Sequence, residues 1–160
     1  MYFWKMHLLK KQLIEAKLTE GQLFSYILVY VALSAIVVEA IPYFPFESLN
    51  IWNYVQSIAN VVIAIIGTVW IFRANGGKSG HEFAARYFSV GFVATIRFLA
   101  LLLPLMVVMI VIHISVYGTK EEVQKGITEF VLFSTWYVLL YVYIAKQLRE
   151  IAEKSLRRTV

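Results

Sequence analysis

The sequence predicts an all-α integral membrane protein: a four-helix bundle with an interfacial amino-terminal helix and a cytoplasmic helical extension at its carboxyl end. Three observations predict it. Apolar runs at residues 23–41, 51–72, 90–112 and 127–145 each approach the roughly 20 residues that a helix needs to cross about 30 Å of hydrocarbon. The chain is 60% hydrophobic and 16% charged, too apolar for a water-soluble domain of this size. None of the runs alternates polar and apolar residues as barrel strands do, and in lipid the backbone must satisfy its own hydrogen bonds, which leaves the helix. Residues 1–160 then form a single membrane domain, with residues 1–22 before the first span and residues 146–160 as the tail.

The first segment places Tyr2, Phe3 and Trp4 beside Lys5, and interleaves Leu8, Leu9, Leu13, Ile14 and Leu18 with lysines. That pattern fits a helix lying among lipid headgroups, or one packed beneath the bundle. The first apolar run is read as a retained span rather than a signal peptide, because its basic leader is long and no small-x-small cleavage site closes it.

The second run carries the clearest internal pattern. Asn53, Gln56, Ser57, Asn60, Ala64, Gly67 and Thr68 fall at helical spacing on one stripe, which should turn away from lipid. Small and hydrogen-bonding residues of this kind either glue helices together or line a solute path. In the fourth run Ser134, Tyr137 and Tyr141 make a shorter stripe that can meet it.

Between the second and third runs lies Asn75-Gly76-Gly77-Lys78-Ser79-Gly80-His81. A phosphate-binding P-loop needs glycine where this chain has Phe72, so nucleotide hydrolysis is excluded, although Lys78 and nearby backbone amides suit an anion. In the third run Arg97 is the costliest residue to bury. It either snorkels towards lipid phosphate or faces the bundle, donating to Thr68, Tyr141 or backbone carbonyls. Arg86 is eleven residues earlier, on nearly the same helix face, so the two guanidinium groups make a candidate anion or lipid contact together with Lys78. Pro104 is expected to kink this span near Ala100.

The fourth run continues into an amphipathic tail. Ile144, Leu148, Ile151 and Ser155 share one face, and that ridge requires a partner: the chain's own amino-terminal helix, a second copy or a cytosolic protein. Glu39, His113 and Glu129 lie near the opposite ends of their spans and form a candidate outer polar layer, read either as a cation or pH site or as separate interfacial residues.

Basic residues set the orientation. Twelve flank the runs on the side of both termini and the middle connection, two lie on the other side, and Arg97 is within a span, so both termini are expected in the cytoplasm. The net charge of +5 then reflects orientation and anionic headgroups on the cytoplasmic side, with no nucleic-acid partner. The chain has no cysteine and no aspartate, and its three histidines are scattered. No catalytic, metal or cofactor-binding motif results, and no enzyme is expected.

Two functions fit these features. One is a self-associating channel or membrane-permeabilising component in which several copies surround the second-span stripe. The alternative is a non-catalytic anchor, sensor or immunity-type subunit that docks a cytosolic or membrane protein through its terminal segments. Homo-oligomers in a plasma or bacterial inner membrane are expected under either.

Overall fold

The computed structural model describes residues 2–15, 17–40, 51–117 and 122–159. These residues form five helices, α1 (Met6–Glu15), α2 (Glu20–Ala40), α3 (Ile51–Ala74), α4 (Phe83–Tyr117) and α5 (Glu122–Thr159), with a short 3-10 turn at Gly77–Ser79 and no strand among them.

Three helical stretches are long and apolar enough to cross a membrane: Ile51–Ala74, Phe83–Val108 and Ile127–Arg157, with mean hydropathies of 2.0, 2.2 and 1.6. Their most apolar windows are only 11%, 22% and 11% buried within the protein, so most of that surface needs hydrocarbon rather than water around it. Ile58, Ile65, Ile66, Leu101 and Val131 are among the side chains that point outward. This is the surface of a membrane-embedded protein. The apolar stretch of α2, Glu20–Ile36, is shorter.

Helix ends follow local chemistry rather than hydropathy. α2 begins well before residue 23 because Thr19 and Gln22 form a reciprocal cap: the Gln22 amide donates to Thr19 Oγ1 at 3.3 Å, and the Thr19 amide to Gln22 Oε1 at 3.2 Å. α4 starts at Phe83 rather than at the first residue of its apolar run, directly after Glu82, whose φ of 56° is left-handed. α5 runs unbroken from the apolar stretch through the charged tail. Pro104 lies inside α4 without ending it.

α3 lies along α5, α4 packs on both α2 and α5, and α1 wedges against α4 and α5. The tightest core is at the end that carries α1 and the α5 tail, where Leu9, Ile71, Val90, Val93, Leu148 and Ile151 have no exposed surface. Met6, Leu9 and Leu13 recur on the buried face of α1, and the ridge Ile144, Leu148 and Ile151 of α5 is buried in the same cluster. The chain's own amino-terminal helix thus covers the ridge.

Candidate functional site

The end of the molecule that carries both termini encloses a cleft of about 670 Å³, bounded by the end of α1, the α3–α4 connection and the α5 tail. Arg86, from the first turns of α4, forms part of its wall although the residue is only 5% exposed. Its Nη1 donates to Asn75 Oδ1 at 3.1 Å and its Nη2 to Ser155 Oγ at 3.1 Å, both neutral acceptors. Its Nε is buried without a partner.

The connection is built to hold Asn75 in place. Asn75 is 1% exposed, its backbone amide continues the α3 ladder to the Ile71 carbonyl, and its Nδ2 donates to the His81 carbonyl at 3.2 Å. Gly76 turns the chain with φ 103°, a conformation that side chains resist. At Gly80 a Cβ would collide with the Asn75 carbonyl, so glycine is what lets the loop close on that residue.

Across the mouth, Lys17 Nζ pairs with Glu82 Oε1 at 2.6 Å. Both residues sit in left-handed backbone, at φ 55° and 56°, so the bridge links two constrained points, one after α1 and one before α4. The carboxylate nearest Arg86 in sequence is therefore paired with Lys17 and acts on the guanidinium only through space. On the other flank, Lys10 Nζ donates to Gln147 Oε1 at 3.0 Å and also binds the Glu150 carboxylate, which Lys154 meets at 2.8 Å. Those bonds, Lys10's first, hold the Glu150 carboxyl down at about 2.

Arg97 neither donates to Thr68 or Tyr141 nor meets Arg86. Its Nε donates at 2.9 Å to the backbone carbonyl of Trp4, which Nη2 also contacts, and its Nη1 donates to Tyr143 Oη at 3.2 Å. The guanidinium carbon lies 5.7 Å from the Trp4 ring centre. Tyr2 is tied nearby through its amide, 2.8 Å from Tyr26 Oη. The two arginines share a helix face but serve different partners, and Lys78 is exposed on the 3-10 turn.

The α3 stripe meets α5. Gln56 Nε2 donates to Asn60 Oδ1 at 2.8 Å and reaches Ser134 Oγ at 3.3 Å. Gly67 is buried beneath the Tyr141 ring, which a Cβ would enter. Thr68 Oγ1 lies 3.4 Å from Tyr87 Oη, Ala64 is half-buried, and Asn53 and Ser57 are exposed. Of the outer polar layer, Glu39 and Glu129 are exposed, while the side chain of His113 and the connection at residues 42–50 lie outside the described residues. No metal-ligating cluster occurs among the described residues.

Sequence reasoning missed Asn75, Lys17 and Glu82 as site residues. One signal was present for their neighbour: Ser155 is a polar residue on an otherwise apolar ridge, the position of an acceptor for a buried donor. No model of a protein family matches the chain, and no curated protein or solved structure does.

Proposed function

We propose that this protein is a non-catalytic membrane component, an anchor or sensor, with four crossings and both termini in the cytoplasm, whose recognising part is the end formed by α1, the α3–α4 connection and the α5 tail. The observation that carries this reading is the sealing of α1 onto α4 and α5 through Leu9 and Leu13, because it builds a packed, charged platform at that end of the apolar spans. The basic-residue asymmetry supports its cytoplasmic placement. Packing of Gly67 and Gln56 against α5 supports the stripe as helix glue.

Because the chain has no cysteine, single-cysteine variants at Lys11, Lys78 and Lys146 report sidedness cleanly. A membrane-impermeant maleimide should reach all three from the cytoplasmic side, and cysteines at Glu39 and Glu129 from the other; any exchange between the sets overturns the topology. Purified protein in planar bilayers should pass no current. The exposure of Asn53 and Ser57 favours a second reading, a self-associating channel. Discrete currents that Ser57→Leu or Asn60→Leu abolishes would establish it in place of the first.

A further inference from the structure

We propose that the terminal cleft binds a phosphate ester with an apolar substituent, held by the buried guanidinium of Arg86. The inference deepens the docking reading above and rests on its assignment of this end as the recognising part. Burying a cation beside neutral acceptors is costly, and here a guanidinium that is 5% exposed has Asn75 and Ser155 as hydrogen-bond partners and a covered Nε with none, while among the described residues no carboxylate pairs with it directly and Glu82 acts on it only through space. The two bonds it makes leave further N–H groups unused. An anion in the adjoining cleft supplies the direct ion pair that Glu82, held by Lys17, does not make, and the planar guanidinium fork matches phosphate geometry.

The rest of the cleft defines the ligand. Lys17 stands at the rim with a largely exposed side chain and an ammonium shared with Glu82, while the Ser79 hydroxyl in the lining is turned to the Gly76 carbonyl. Glu15 and Glu82 also line the space, with Glu82 held by Lys17, so a singly or doubly charged phosphate suits it better than a polyphosphate. Leu13, Ile14 and Leu156 give the remaining wall an apolar character, which bare inorganic phosphate would not use. The volume of about 670 Å³ suits a small organic ligand. A phospholipid headgroup and a soluble organophosphate share this chemistry.

The full chain in phosphatidylcholine nanodiscs, with and without phosphatidic acid, tests the lipid source by native mass spectrometry. Phenyl phosphate added to lipid-free detergent samples tests the soluble source by thermal shift. Wild-type protein should retain phosphatidic acid over phosphatidylcholine, or gain stability saturably with phenyl phosphate, and the arm that responds identifies the source. Arg86→Gln should weaken the response about tenfold or more. Lys17→Gln, at the exposed rim, should weaken it severalfold, and it decides the matter if Arg86→Gln does not fold. No response of wild type to either probe overturns the proposal, as does a response that both variants, or a folded Lys17→Gln alone, leave at the wild-type level. Silence in bilayers with cytoplasmic labelling, but no phosphate response, removes this inference and leaves the docking reading standing. Currents from a protein that binds phosphate do the reverse.

Discussion

The two ends of the helix assembly are stabilised by different solvents. At the end carrying both termini, Leu9, Ile71, Leu148 and Ile151 are wholly enclosed by other parts of the chain. Along the apolar stretches of α3, α4 and α5, Ile58, Ile65, Leu101 and Val131 are more than half exposed. A leucine at the first end gains by leaving water; one on the second surface has hydrocarbon beside it whether the helices are packed or apart. The same side chain is therefore worth very different amounts in the two regions, and each region should fail in its own way.

The largest effect is expected where water is the alternative. Leu148→Ala removes a fully buried side chain just beyond the fourth apolar run, where α1 closes over α5. It should cost about 2–5 kcal/mol and release α1. Protease sensitivity of the α1–α2 connection and thermal unfolding in detergent would both report it. A loss no larger than that of an outward-facing leucine would erase the distinction between the two regions.

Within the spans, tolerance should depend on whether a position faces α5 or lipid. Gly67→Ala drives a methyl into the Tyr141 ring and should cost about 1–3 kcal/mol by overpacking. Combining it with Tyr141→Ala should cost less than the sum of the two single changes, since the clash is then absent. Strict additivity in a double-mutant cycle would show that α3 and α5 do not pack through this pair.

The sequence made some of these relations legible and hid others for identifiable reasons. Helical spacing alone put Gln56, Asn60 and Gly67 on one side of α3 and Ser134 and Tyr141 on one side of α5, because a stripe is a local property. The partner of the α5 ridge stayed open among three candidates, since periodicity shows that a face needs covering without showing by what. The Trp4 carbonyl that receives Arg97 had no signature at all, because every residue offers a carbonyl. Asn75 stands in a polar, glycine-rich connection with nothing local to mark it as buried; the burial arises when the glycine turn folds back onto it and Arg86 and the α5 tail close around the same end. Contacts that depend on such long-range closure are set by the assembled packing, which no window of sequence contains.

Electrostatics at the closed end should give a smaller, pH-dependent effect. Glu150 has Lys10 from α1 and Lys154 from its own helix against it, with Gln147 sharing Lys10. Its carboxyl is held at about 2 against an ordinary 4.5, so the folded chain favours the charged form more than the open chain does. The contribution is complete above the ordinary value and lost as pH falls from about 4.5 towards 2. Spin labels at Lys11 and Lys146 should report α1 loosening across that interval in wild type and no such transition in Glu150→Gln. An identical acid profile in the variant would assign the change to other groups.

The smallest effects belong to the lipid face, and they are the most specific to a bilayer solvent. Ile65 and Leu101 are 61% and 60% exposed. In water their truncation would reduce an aggregation-prone surface; in a bilayer the separated helix exposes them to the same acyl chains as the packed one, so Ile65→Ala and Leu101→Ala should each change stability by about 0.5 kcal/mol or less. Steric-trap unfolding in bicelles resolves shifts of that size. A loss comparable to that of Leu148→Ala would mean that another protein surface, such as a second copy of the chain, covers these positions, and the region assigned to hydrocarbon would have to be redrawn as an interface.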